Sequence, residues 1–256
     1  MPYFKSRVMR KEPVVGTFCG IVNASAVELT STCGFDFLCI DAEHSPIDRA
    51  AAEGMIRAAD VRGVPAIVRV PGLNAEAIAS VLDSGAKGVL VPRVGTAEQA
   101  LAAVKATRYP PYGERGVGPG RAAAYGASIG EYLGKAHDEL LLAIQIETAE
   151  GLQNIEEIAA VEGIDVIFIG PGDLSVSLNA MGPENAARLN QAITTIIEVS
   201  ERAGKVTGMF RMSADDVNDW RGFGVSFFVV ASDTMFLAAG AQATVNAFKA
   251  RLGEGK

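Results

Sequence analysis

Cysteine is scarce: three stand among 256 residues, and Cys19, Cys33 and Cys39 form no C-x-x-C pair. A disulfide framework is therefore not expected to organise the chain. Basic residues are in deficit too, 23 Lys and Arg against 30 Asp and Glu for a net charge of −7, and they are scattered. That balance argues against nucleic acid or an anionic membrane as the main partner. No stretch approaches the roughly 18 uninterrupted apolar residues of a membrane span, and the opening MPYFKSRVMRKEP lacks the apolar middle of a secretory signal. A cytoplasmic protein is expected. Apolar residues, by contrast, make up 49% of the chain and charged ones 21%, the balance of a soluble enzyme with a large core.

Short apolar runs and helical patterns alternate along the whole length. Strands are expected at Val14–Ile21, Phe35–Ile40, Pro65–Val70, Gly88–Val91, Leu140–Glu147, Val166–Ile169, Val206–Phe210 and Ser226–Ala231. Between them, helices are signalled by Asn74 as an N-cap, by the capping box Thr96-Ala-Glu-Gln99, by Ser213-x-x-Asp216, and by Gly34 and Gly63 as stops. One long helix is read over Glu184–Ala203, another over Asp233–Leu252, and a single crossover helix from Thr148 through Ala160. Eight strands each followed by a helix, with no linker, make one (β/α)8 TIM barrel over residues 1–256, its last helix a candidate for subunit packing. An open doubly wound sheet is the alternative, but its G-x-G-x-x-G turn is missing after the first strand, where the chain reads GIVNAS. The segment Arg108–Tyr125, RYPPYGERGVGPGRAAAY, breaks the pattern and is a candidate functional loop.

In such a barrel the chemistry sits where strands end. Those ends carry Asp41, Glu43 and His44, then Arg69, Arg93, Gln145 with Glu147, Asp173 with Ser175, and Asp233, whereas the opposite ends read as turns and small residues. Glu147 and Asp173 close neighbouring parallel strands, so two acids meet at one rim, either as solvated loop residues or as hard ligands of a divalent cation. His44 is one of two histidines and fits a structural residue or a general base. Arg69, in the apolar run AIVRVP, fits a buried ion pair or a cation placed to stabilise an oxyanion. Cys39 ahead of His44 fits inert core or a thiol nucleophile. His137 receives no role. Gly170-Pro-Gly-Asp173 offers amides that could hold a carboxylate beside a cation, a combination suited to chelating a 2-oxo acid and acidifying its methyl protons. No lysine stands at a strand's C-terminal end, since Lys87 and Lys205 precede theirs, so a Schiff-base route to the enolate is not expected.

FDFLCIDAEHSP, VRVP, GVLVPRVGTAEQA, RYPPYGERGVG and IQIET with EGIDVIFIGPGDLS together resemble the HpcH/HpaI family of metal-dependent, pyruvate-forming aldolases, in order and over nearly the whole chain. The resemblance implies retro-aldol cleavage of a 4-hydroxy-2-oxo acid to pyruvate and an aldehyde, on a barrel that assembles as a homohexamer. It implies a divalent cation (Mg²⁺, Mn²⁺ or Co²⁺) on Glu147 and Asp173, His44 as general base and Arg69 as enolate stabiliser. It also implies pyruvate contacts from Gln145 and from the amides of Gly172 and Asp173, and Asp83 as the acid that raises the basicity of the histidine. Asp83 precedes the fourth strand, which puts it at the far rim or in a neighbouring subunit's site. Arg121-Ala-Ala-Ala-Tyr125 lacks a second arginine found near this position in many dicarboxylate-cleaving relatives, which leaves smaller or hydroxylated aldehydes open. A citrate-lyase-β-like acyl-CoA lyase and a non-catalytic barrel that binds 2-oxo acids are the alternatives.

Overall fold

The computed structural model describes residues 4–252. Eight parallel strands, β1 (Val14–Cys19), β2 (Phe37–Asp41), β3 (Ala66–Arg69), β4 (Gly88–Val91), β5 (Leu141–Ile146), β6 (Val166–Ile169), β7 (Val206–Arg211) and β8 (Val225–Ser232), pair in sequence order and close β8 onto β1. The expected (β/α)8 barrel is thus the fold. The sheet is buried on both faces, as its apolar runs require. Phe37 and Cys39 join the interior cluster with Phe168 and Phe227, while Leu38 and Ile40 pack outward with Met55 and Ile56 of the helix layer. Gly16 makes room for this interior, since a Cβ there would lie 2.6 Å from the Phe37 ring.

Helices α2 (Ala24–Ser31), α3 (Arg49–Val61), α4 (Ala75–Asp83) and α5 (Ala97–Thr107) follow the first four strands. Their N-caps Asn23, Asp48, Asn74 and Thr96 accept from backbone amides inside the first turn. The Arg108–Gly120 stretch is irregular, followed by a 3₁₀ turn at Arg121–Gly126 and α6 (Ile129–Glu139). The expected single helix after β5 is two, α7 (Ala149–Gln153) and α8 (Ile155–Ala159). Asn154 leaves helical geometry at φ −98°, ψ 13°, and its side-chain amide instead donates to Gly95 O at 2.8 Å. A short α9 (Pro171–Ser177) opens directly after β6, with α10 (Ala186–Arg202), α11 (Val217–Gly222) and α12 (Asp233–Leu252) completing the ring.

The basic lead contains a helix that the sequence pattern does not announce, α1 (Phe4–Met9). At six residues it has no stability of its own; tertiary contacts hold it under the barrel. Phe4 packs on Phe37 and Phe227 at ring distances of 5.2 and 6.4 Å. Lys5 Nζ reaches Asp165 Oδ1 at 2.9 Å and the carbonyls of His137 and Leu140. Asp165 Oδ2 in turn accepts from Arg108 Nη2 at 2.7 Å and from Leu142 N at 2.8 Å. To the turns and small residues expected over most of this rim the structure adds a buried charge cluster, which seals it and leaves the other rim as the open end.

Arg108 is 2% exposed and Asp165 is the carboxylate facing it. Asp165→Ala strands that guanidinium without its counter-ion and should cost about 3–5 kcal/mol, read as a lowered urea midpoint; a change under about 1 kcal/mol would mean the pair is solvent-screened.

Candidate active site

At the open rim a cavity of about 400 Å³ is lined by Asp41, His44, Arg69, Gln145, Gly172 and Asp173, together with Phe18, Gly20, Ser45, Phe168, Gly170, Phe210, Ser232 and Thr234. Seven of the eight strand ends converge there, all but that of β4, because every crossover returns the chain to the same side. β3 ends in Arg69, whose guanidinium is buried and locked. Nε and Nη2 donate to Asp41 Oδ1 and Oδ2 at 2.9 and 2.7 Å, Nη1 lies 3.3 Å from Glu43 Oε2, and the ring of Phe18 lies 4.2 Å below Cζ. Burial alone would lower the Arg69 pKa, but the Asp41 carboxylate more than offsets it and the net shift is upward. Asp41 Oδ1 also accepts from the amides of Glu43 and His44 at 3.2 and 3.3 Å. One carboxylate thus fixes both the arginine and the loop that carries the histidine. His44 itself reaches out to solvent, 62% exposed, with Nε2 3.7 Å from Glu43 Oε2.

On the opposite wall Glu147 adjoins the cavity through Gln145 and Gly170. Its Oε2 accepts from Gln145 Nε2, and its Oε1 accepts from Arg93 N at 2.9 Å. That amide is aimed by a left-handed backbone, φ 56° at Arg93, an unusual conformation for a non-glycine residue and typical of functional turns. Gly170 is required for closeness: a Cβ there would sit 2.7 Å from Gln145 Nε2 and 2.8 Å from Glu147 Oε2. Burial first, then the Glu43 and Asp173 charges, push the Glu147 carboxyl up to about 7. Glu43 is raised as well, chiefly by burial, with Arg69 opposing. Two buried oxygens at this centre, Gln145 Oε1 and Glu43 Oε2, make no hydrogen bond.

A buried acid beside an exposed one, with an orphaned amide oxygen next to it, is a donor set of hard oxygens suited to a divalent cation. Glu147, Asp173 and Gln145 Oε1 are the residues that could hold it. Among the described residues no group of three or more His, Cys, Asp or Glu gathers at metal-holding distance, so water or substrate oxygens would complete the shell.

The structure brings together His44, Arg69, Gln145, Gly172 and Asp173, with Glu147 behind them. It does not bring Asp83. That residue ends α4, which returns the chain to the closed rim, and its Oδ1 meets Arg115 Nη2 there at 2.5 Å. The thiol reading also falls: Cys39 is fully buried inside the barrel, and burial raises its pKa well above the thiol range. Sequence reading undervalued Asp41, whose position two residues before Glu43 was visible without its pairing. It missed Phe18, Phe210, Ser45, Ser232 and Thr234, for which only barrel closure supplies a signal.

Residues 15–239 match the family model described as HpcH/HpaI aldolase/citrate lyase. The chain is 35% identical to the hydroxypyruvate/pyruvate aldolase of Delftia acidovorans, covering 96% of this chain and 92% of that one. It is 40% identical to the 2-keto-3-deoxy-L-rhamnonate aldolase of an Escherichia coli strain, over 91% and 87% of the two chains. The crystal structure of an HpcH/HpaI aldolase/citrate lyase family protein from Burkholderia cenocepacia superposes with a TM-score of 0.90 at 31% identity, covering 96% of this chain and 98% of that one.

The Glu147 shift has a stability consequence in metal-free protein. The folded chain keeps this proton up to about pH 7, whereas an ordinary glutamate releases it near 4.5. Between those values the folded state binds more protons than the unfolded one, so stability falls as pH rises, by on the order of 2–3 kcal/mol. Melting temperature measured in chelator from pH 4.5 to 7.5 should therefore decline more steeply for wild type than for Glu147→Gln; parallel curves would show that Glu147 is not the titrating group.

Proposed function

This chain belongs to the HpcH/HpaI aldolase/citrate lyase family, and on that footing we propose that it is a class II aldolase cleaving a 4-hydroxy-2-oxo acid to pyruvate and an aldehyde. The observation that carries the reading is a fixed guanidinium, an exposed imidazole and Asp173 around one cavity, with Glu147 bonded to Gln145 of its wall. A divalent cation (Mg²⁺, Mn²⁺ or Co²⁺) on Glu147 and Asp173 would polarise the 2-oxo group and lower the cost of enolate formation. Gln145 and the amides of Gly172 and Asp173 orient the 2-oxo acid. His44 accepts the proton of the C4 hydroxyl, the C3–C4 bond breaks, C4 leaves as the aldehyde carbonyl, and the electron pair moves to the C2 oxygen beside Arg69. Arg69 is suited to that charge because Asp41 has already fixed its plane and no reorientation is needed. Protonation at C3 then yields the methyl group of pyruvate. The free thiols Cys19, Cys33 and Cys39 fit the reducing cytoplasm.

Self-association belongs to the same reading. Only Asp233 of the 20-residue α12 is buried, and Leu237, Val245, Phe248 and Leu252 recur on one exposed face. Beside its root lies an apolar groove of about 620 Å³ lined by Val14, Phe35, Val217, Phe228, Val230 and Met235. A second copy would cover both surfaces, and the family resemblance makes the assembly a hexamer. Asp83, at the closed rim of its own barrel, can approach a His44 only in a neighbouring copy.

Chelation followed by dialysis should abolish pyruvate release from a panel of 4-hydroxy-2-oxo acids, and added Mn²⁺, Mg²⁺ or Co²⁺ should restore it. Full activity after chelation, or undiminished metal affinity of Glu147→Ala in calorimetry, refutes the assignment. For the assembly, light scattering should give a mass above that of one chain, and Leu237→Glu with Phe248→Glu should lower it; a wild-type monomer refutes the self-association.

A further inference from the structure

The closed rim carries a histidine that the reaction does not use, and its surroundings are built against a proton. His137 stands in the last turn of α6, its ring stacked on Tyr112 at a centroid distance of 4.0 Å and an interplanar angle of 23°. Its Nδ1 is buried and makes no hydrogen bond. The backbone carbonyl of the same residue accepts from Lys5 Nζ at 3.0 Å and from Arg108 Nη1 at 3.4 Å. The residue that bears the imidazole is thus one of those that anchor α1 to the barrel.

Charged groups face the ring from every element packed there. Lys5 of α1 and Arg108 at the end of α5, their side chains 11% and 1% exposed, share one buried carboxylate, Asp165 ahead of β6. Asp138, next to His137 on α6, is exposed. Two cations on one buried carboxylate leave the cluster positive, and an imidazolium would be a third. Burial first, then Arg108 and Lys5, hold the imidazole pKa below its ordinary value, with Asp138 and Asp165 opposing. Stacking on the Tyr112 face favours the cation, but only weakly beside an exposed tyrosine. Charging the ring, by contrast, leaves a buried N–H without an acceptor. The neutral ring is the form that fits a docked α1. What rests on α1 is the barrel interior: Phe4 stacks on Phe37 at 5.2 Å, Phe37 on Phe227 at 4.5 Å, and Phe227 meets Phe168 at 6.2 Å in the wall of the open-rim cavity. We propose that His137 is a proton-sensitive latch: neutral, it lets Lys5 dock α1 under the barrel, and a proton on its ring releases α1 and with it the base of this aromatic column. The latch is independent of which reaction the open rim performs.

Hydrogen exchange of the full chain, followed by mass spectrometry at pH 7.5 and 5.5 and corrected for the intrinsic chemical rate at each pH, reads the docking through the peptide Phe4–Glu12. An ordinary imidazole is protonated about ten to one at pH 5.5. The released form should therefore gain between about threefold and about tenfold over pH 7.5, seen as the same factor of lost protection. Helix α10, which contributes no residue to the cluster, should keep its protection. His137→Phe retains a ring for Tyr112 but takes no proton, and its Phe4–Glu12 peptide should not respond to pH. His137→Gln, smaller and equally unable to titrate in this range, repeats the comparison should the larger ring disturb α6. His44 and Glu147, at the open rim, are common to all three chains and cancel between them. Unchanged protection of Phe4–Glu12 in wild type, an equal pH response in the variants, or a loss that spreads to α10 overturns the latch.

Discussion

A guanidinium clamped by a carboxylate in the end of a barrel is the constraint from which the rest of the open rim is built. Asp41 and Arg69 are direct neighbours in the β2–β3 register, so the pair is set by strand alignment before any loop is placed. Both are buried, and removing either partner would leave an uncompensated charge in a low-dielectric site. The same Asp41 oxygen then receives the amides of Glu43 and His44. The position of the histidine is thus an outcome of the salt bridge. The imidazole is exposed, whereas the arginine that would face developing charge is held by Asp41.

Across the cavity the logic is inverted. Glu147 is held by an amide from a strained turn and by Gln145, yet burial and two neighbouring acids keep its proton affinity high. Left alone, this wall is destabilised by its own charge density; a cation would discharge it. The two walls divide the work. One supplies a fixed positive group that needs nothing further, and the other supplies negative groups that need a cation.

Much of this was legible in the sequence because two rules act together: apolar runs mark strands buried on both faces, and parallel crossovers send every strand end to one rim. Glu147, Asp173, Arg69 and His44 could be collected from that alone. What escaped depends on pairs remote in sequence. Helix α1 is six residues whose order comes from Lys5 meeting Asp165, some 160 positions away. The break at Asn154 is set by the Gly95 carbonyl, and helical spacing continues smoothly through it. Phe210 and Ser232 read as ordinary strand residues until closure of β8 on β1 turns them to the cavity. Asp83 was placed at the far rim by topology against the role the resemblance implies, and topology describes the single chain.

The last helix ties the two scales of the molecule together. Asp233, its first residue, accepts from Gly20 N and Ile21 N at 2.9 and 3.0 Å, which stitches the end of β8 to the loop after β1 and shapes the floor of the cavity. Ser232 and Thr234 flank it in the wall. Beyond that turn the helix leaves the barrel, with only its root buried. The helix that carries the apolar stripe is thus the one whose first turn lines the cavity. An exposed apolar stripe of this kind is an aggregation hazard unless it is buried.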